Sequence, residues 1–294
     1  MENKNKKLNL DCLVCKSKSV NLFANKNSHD LYRCSDCGLI FVNPLPEIVL
    51  SIYNWDYFNG ATAGFGYVDY DNDKRAMQST FEKYLNMIEN LLPERGKLLD
   101  IGAATGYFVK LAQNKGWSVT GIELSEWAAN KGRTEGLDIF TGSLESVDFP
   151  RSYFDAVTLI DVLEHLTDPR HQLKIIAEML KPGGVVAINT PDTGSLFARL
   201  FGRRWHLLIP PEHLFLFNKK NLSRLLKESG FEMIDVRKIG KNFTLQYAAH
   251  ILANWQGRSL LHKISGLFRS SRWGKIGIPI NLRDNFFILA RRLK

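Results

Sequence analysis

Three groups of residues could do chemistry. All four cysteines fall in the first 37 residues, as Cys12-x-x-Cys15 and, eighteen residues later, Cys34-x-x-Cys37. Two CxxC turns at this spacing supply four thiolates to one tetrahedral zinc ion. Disulfides are the competing reading, disfavoured because the start Met1-Glu2-Asn3-Lys4 lacks the apolar region of a secretory leader. A closed four-sulfur site has no open position, so its work is to fold about 40 residues too few to stabilise themselves. A separate interior is expected for this module, leaving the rest folded when the metal is lost.

The second group is Asp161, Glu164 and His165, followed by His213 in Pro210-Pro211-Glu212-His213. On a helical turn, positions 161, 164 and 165 are i, i+3 and i+4 and share a face. A neutral histidine oriented by a carboxylate takes a proton from a hydroxyl, and two acids with two histidines also suit a divalent ion such as Mg. The competing reading is a hydrogen-bonded, capped turn. The third group is the loop Asp100-Ile101-Gly102-Ala103-Ala104-Thr105-Gly106. It reads D-x-G-x-x-x-G rather than G-x-G-x-x-G, and Asp100 would repel a pyrophosphate. Ala104 is tolerated there if its φ is negative.

Regular alternation positions these groups. Strands are predicted at Lys97–Ile101, Ser118–Leu124, Asp138–Thr141, Phe154–Asp161, Val185–Thr190, Phe231–Ile239 and Asn285–Arg291. Helices are predicted at Gly106–Lys115, Ser125–Glu135, Arg170–Leu180 and Asn218–Ser229, and helical spacing also runs through 76–92. The pattern is α/β: a doubly wound, Rossmann-like, seven-stranded, mostly parallel sheet with an antiparallel last strand, plus a small N-terminal zinc ribbon. The loop after the first strand lies where such sheets bind nucleotides. Glu123 ends the second strand, where an acid accepts both ribose hydroxyls. Together Asp100 and Glu123 point to S-adenosylmethionine, which has a ribose and two cations but no phosphate. His165 and His213 leave the carboxyl ends of adjacent strands and can meet above the methyl donor.

Here the chain resembles the class I S-adenosylmethionine-dependent methyltransferases. Asp100–Gly106 is similar to the family's first motif, Gly121-Ile122-Glu123-Leu124-Ser125 to the second. Gly142-Ser143-Leu144-Glu145 falls where the family contacts adenine, and Phe154–Asp161 and Leu180-Lys181-Pro182-Gly183-Gly184 are similar to two further motifs. The resemblance implies cofactor contacts from Asp100, Gly102, Ala104, Gly106, Glu123, Leu124, Ser143, Leu144 and Asp161. Glu164-His165-Leu166 and Glu212-His213-Leu214-Phe215 resemble the ubiquinone and sugar O-methyltransferases and the small-RNA 2′-O-methyltransferases. In the last of these, acids and histidines hold a metal beside the attacking hydroxyl, an arrangement matched in kind by Asp161, Glu164, His165 and His213.

Composition sets the outer bounds. The chain has 294 residues, 45% apolar and 23% charged, which excludes a disordered or collagenous protein. Three regions are expected: a zinc ribbon at 1–45, an aromatic lid and helix at 46–92, and a catalytic domain at 93–294 with a basic amphipathic insertion at about 241–283. The lid carries Tyr67 and Tyr70 as further candidates, and a packed aromatic skirt is its equal alternative. Residues 1–198 hold 20 basic and 25 acidic side chains, residues 199–294 hold 19 and 5, so all of the +9 excess lies in the last third. The insertion, with Trp255 and Trp273 among its apolar positions and Arg258, Lys263, Arg269, Arg272 and Lys275 between them, reads equally as a helix on an anionic membrane and as one packed within the protein. No segment is apolar for the roughly 18–20 residues a membrane span needs, and the expected location is the cytoplasm, with peripheral attachment to the inner membrane face as an extension. The leading function is methyl transfer to a hydroxyl of a small-molecule, sugar or lipid-linked acceptor. An RNA 2′-O-methyltransferase gripping nucleic acid with ribbon and basic patch is the first alternative, a non-enzymatic cofactor-binding module the second. Oligomeric state is not legible.

Overall fold

The computed structural model describes residues 10–46, 57–58, 69–92, 94–256, 274 and 276–293. Strands β1 (Val20–Lys26) and β2 (His29–Cys34) form an antiparallel hairpin between the CxxC turns, and β3 (Ile40–Val42) joins β2. Helix α1 (Tyr70–Ala76) lies in the segment read as the aromatic lid, and α2 (Gln78–Glu89) stands within the helical spacing predicted over 76–92. The Asp69 carboxylate caps α1, and the chain turns at buried Met77, whose ψ of 0° ends the first helix.

Then follow β4 (Lys97–Ile101), α3 (Tyr107–Asn114), β5 (Ser118–Glu123), α4 (Glu126–Thr134), β6 (Ile139–Thr141), β7 (Phe154–Ile160), α5 (Pro169–Met179), β8 (Leu180–Pro191), α6 (Leu196–Phe201), β9 (Phe215–Leu216), α7 (Lys219–Glu228), β10 (Phe231–Arg237), β11 (Lys241–Thr244), α8 (Leu245–Gln256), β12 (Gly277–Ile280) and β13 (Asn285–Arg292). The main sheet has the order β10-β13-β8-β7-β4-β5-β6. Strands β4 to β8 pair in parallel, while β13 runs antiparallel to both neighbours. Phe286 to Ala290 of β13 are buried on both faces, as an inserted strand must be.

Alternate residues of each strand serve opposite faces. Leu98, Ala156, Ala187 and Phe287 join Tyr84, Leu85 and Phe108 on one side. Leu99, Val157, Ile188 and Phe286 join a second interior that also contains Cys12, Val14, Leu31, Cys34 and Phe41. The cysteine module thus shares its interior with the sheet, correcting the expectation of separate ones. The physical reason is β9: Phe215 and Leu216 pair with Phe41 and Ile40, so the ribbon becomes a four-stranded sheet β1-β2-β3-β9 closed by a strand from the main domain. The insertion opens and closes as strands, β11 pairing with β12, with α8 following β11. Residues 257–273 and Lys275, which hold most of its basic positions, lie outside the described residues, as does Tyr67.

Candidate active site at the carboxyl edge of the sheet

The loop after β4 turns on backbone geometry that most residues avoid. Gly102 has φ +76°, and a Cβ there would lie 2.5 Å from Val162 Cγ2. Ala104 has φ +49°, so the negative φ under which an alanine is comfortable is not what the fold provides. The amides of Gly102 and Ala103 donate to the Ile122 carbonyl at 2.8 and 3.0 Å. Glu123 is buried and accepts from the amides of Ala104 and Ser125, both at 2.8 Å, which fixes its carboxylate at the head of β5. Burial raises its pKa. Asp100 is buried against the Thr158 hydroxyl at 2.5 Å, and burial pushes its pKa up to about 7. Leu124 follows β5, and Ser143 and buried Leu144 follow β6, where the Gly142 amide donates to the Glu123 carbonyl at 2.8 Å.

A small cleft opens here, lined by Tyr70, Lys74, Asp100, Gly102, Tyr107 and Ile160 among others. Lys74 is a residue the sequence reading missed. It reaches into the cleft from α1, its ammonium 5.0 Å from the Tyr70 ring centre. Burial lowers its pKa, while the charges of Asp161, Asp73 and Asp100 hold it up. The helix-opening Asp69 was the available signal. Asp71 of the same helix accepts from the Thr105 hydroxyl at 2.8 Å and pairs with Lys131, tying α1 to the loop.

Across the edge lies the histidine cluster. After β7 the chain takes a 3-10 turn, Leu163–His165, and Asp161 precedes it with φ +57°. Asp161 therefore does not share a helical face with Glu164 and His165, which is a correction. The left-handed backbone turns it toward Lys241 of β11, whose ammonium lies 2.8 Å from both carboxylate oxygens, and toward the Asn189 amide at 2.5 Å. Asn189 in turn accepts from the Tyr84 hydroxyl at 3.0 Å. Lys241, Asn189 and Tyr84 carry no motif that spacing could reveal.

The ligating atoms of Glu164, His165 and His213 lie within 4.8 Å of one another, and Asp161 is not among them. The two imidazoles meet edge to face with centroids 4.9 Å apart. Glu164 is buried, accepts from the Thr190 hydroxyl at 2.8 Å, and lies 3.9 Å from His165 Nε2. His213 Nδ1 stands 2.8 Å from the Leu207 carbonyl, which can only accept, so Nδ1 carries the hydrogen and Nε2 holds the lone pair. Burial lowers both histidines, His213 to about 4, and burial assisted by the Asp161 charge raises Glu164 to about 8. At neutral pH the rings are uncharged proton acceptors beside a carboxyl group.

Backbone bonds lock the cluster. The Leu214 amide donates to the Glu164 carbonyl at 2.8 Å, and the Val42 amide to the Leu214 carbonyl at 2.9 Å. The Asn27 side chain donates to the Pro210 carbonyl at 2.7 Å, and the Tyr57 hydroxyl to Glu212 at 2.6 Å. The ribbon hairpin thus clasps the loop that presents His213. In the ribbon itself the four thiols form no disulfide, with Sγ–Sγ separations of 3.5 Å for Cys12–Cys37 and 3.4 Å for Cys15–Cys34. All four sulfurs lie within 4.8 Å of one another. A tetrahedron with Zn–S of about 2.3 Å fits edges of this size.

A methyltransferase-domain family profile matches residues 73–236. The chain is 28% identical over 214 residues to the mitochondrial ubiquinone biosynthesis O-methyltransferase of Schizosaccharomyces pombe, covering 66% of this chain and 77% of that protein. It is 30% identical over 173 residues to the Pseudomonas aeruginosa ubiquinone biosynthesis O-methyltransferase, covering 54% and 73%. Among solved structures, a chain from the complex of the Haloferax volcanii Trm112 methyltransferase activator with a methyltransferase aligns over 81% of this chain and 97% of its own, at 14% identity and a TM-score of 0.53. That likeness concerns the fold.

Proposed function

The chain belongs to the methyltransferase-domain family and is an S-adenosylmethionine-dependent methyltransferase, and from that premise we propose that it methylates a hydroxyl oxygen of a small-molecule acceptor, sugars and lipid-linked compounds included. The observation that carries the reading is the buried Glu164–His165–His213 cluster, with a lone pair on His213 Nε2.

The bound cofactor supplies an electrophilic methyl group. In this reading Glu123 takes the ribose hydroxyls, and the Asp100–Gly106 loop lets the ligand approach the backbone closely. His213 or His165 accepts the proton that the acceptor hydroxyl sheds as its oxygen attacks in line with the departing sulfur. A proton taken up by either ring leaves a positive charge beside the Glu164 carboxyl, so the protonation of the three groups is coupled. Asp161, held by Lys241, keeps a fixed negative charge behind it. The four cysteines would hold a structural zinc ion, and because the ribbon clasps the 205–213 loop, an ordered ribbon would fix where His213 stands.

His165→Ala and His213→Ala test the assignment. Turnover should fall about 10²–10⁴-fold in each, with cofactor affinity by calorimetry intact, and the two losses should not add. Full turnover in both variants would defeat it. If chelation of protein that retains its ribbon zinc abolishes turnover and Mg restores it, the cluster acts through a divalent ion instead.

A further inference from the structure

Half-buried Lys115, Lys131, Lys181 and Lys241 each face a carboxylate: Glu89, Asp71, Asp155 and Asp161 in turn. Lys26, the last residue of β1, is different. It is half-buried, and its ammonium donates to the Trp205 carbonyl at 3.4 Å. Burial pushes its pKa down, and among the described residues no acid holds it up. A cation taken out of water without a counter-charge is costly. Two more cations stand beside it. Exposed Arg33 of β2 and exposed Arg203 of the 3-10 turn Gly202–Arg204 lie against the Phe23 ring of β1, 5.9 and 6.0 Å from its centre. Among the described residues neither arginine forms an ion pair with a carboxylate. The ribbon and the acceptor loop thus meet at a seam that collects positive charge.

This seam belongs to the acceptor side. Trp205 opens the loop that ends at His213, and Asn27, next to Lys26, donates to Pro210 of the same loop. His206 is held low by burial, and the charges of Lys26 and Lys241 work in the same direction against that of Asp284. His213, low chiefly through burial, feels both His206 and Lys241. Lys26 and the proton acceptor therefore share one electrostatic neighbourhood. Resting on the hydroxyl-acceptor reading above, we infer that the acceptor carries a phosphoryl group, bound by Lys26 with Arg203 beside it while its hydroxyl faces His213. A phosphoryl group supplies the missing negative charge and more than one strong acceptor oxygen for ammonium and guanidinium together. RNA would meet exposed cations along a track. A half-buried ammonium against a loop carbonyl suits the end of a small molecule.

Calorimetry with inorganic pyrophosphate tests this without cofactor or turnover, so its outcome is separate from that of the histidine assignment. The full chain should bind pyrophosphate more tightly than sulfate at matched ionic strength, and added salt should weaken binding. Lys26→Gln should weaken it about tenfold or more, and Lys26→Arg should keep most of it. Arg203→Gln, at an exposed position, should weaken it severalfold. Lys181→Gln, whose lysine already faces Asp155, should leave it unchanged. Tm should not fall in Lys26→Gln, because that variant removes a half-buried charge. The inference falls if pyrophosphate does not bind, if Lys26→Gln and Arg203→Gln bind it as well as wild type, or if a short single-stranded RNA binds through Lys26 far more tightly than pyrophosphate does.

Discussion

The loop after β4 and the histidine cluster are held in opposite ways. At the loop, Gly102, Ala103, Ala104 and Ser125 bond to Ile122 and Glu123, all within one β4–α3–β5 unit. At the cluster the partners come from across the chain. Asn27 reaches Pro210 over 183 residues, Val42 reaches Leu214, Glu164 reaches Leu214, and Lys241 reaches Asp161. Local bonds make a site that survives changes elsewhere, whereas distant bonds make one that depends on the whole molecule.

The sharpest way to break this contrast is through the ribbon. Cys34→Ser, or zinc withdrawal, should release the clasp on residues 205–213 and lower acceptor turnover at least about 100-fold while cofactor affinity changes less than about threefold. Calorimetry and initial rates on one preparation decide it, and parallel loss of both would show that the two sides are a single unit.

Charge gives a middle-sized effect. Glu164, raised to about 8 by burial, costs the fold nothing while protonated and progressively more as pH rises from the ordinary carboxyl range through 8. His213, lowered to about 4, has the opposite sign: its contribution is full above the ordinary histidine range and is lost as pH falls through 4. Glu164→Gln should remove the first slope and leave the second. Tm against pH should therefore diverge between variant and wild type as pH rises from the ordinary carboxyl range to about 8 and run parallel above it, and a gap that does not grow over that window would remove the assignment.

The smallest effect tests the local side. Ala104 sits at φ +49°, where glycine carries no Cβ penalty. Ala104→Gly should be neutral to stabilising by about 1 kcal/mol, a rise of roughly 2–4 °C in Tm, with cofactor affinity kept. A fall in Tm would mean that the extra freedom of the unfolded chain outweighs the strain relieved.

What the sequence revealed follows the same division. Every element from β4 to β8 is legible because strand and helix periodicities alternate over short spans, and the Asp100–Gly106 loop and Glu123 stand at strand ends that position alone identifies. The cysteine grouping is legible from spacing. The two-residue strand β9 is not, since Phe215 and Leu216 become a strand only by pairing with Phe41 and Ile40. Lys241, Asn189 and Lys74 were hidden for a similar reason: each acts through a carboxylate that folding brings to it. The shared helical face proposed for Asp161, Glu164 and His165 failed because β7 ends in a left-handed residue and a 3-10 turn, and three residues of turn carry no periodicity.

Strand β13 has a consequence for the order of events on the ribosome. It lies between β8 and β10, yet follows both in the chain. Until residues 285–292 emerge, β8 presents an open backbone edge, and the Tyr84 ring lacks Phe287, against which it stacks at 4.1 Å in the finished protein. The cofactor loop can form while synthesis continues, because its partners are already made. The β8 edge and the Tyr84 ring must wait for residues 285–292, so the sheet closes only after every other strand has been made.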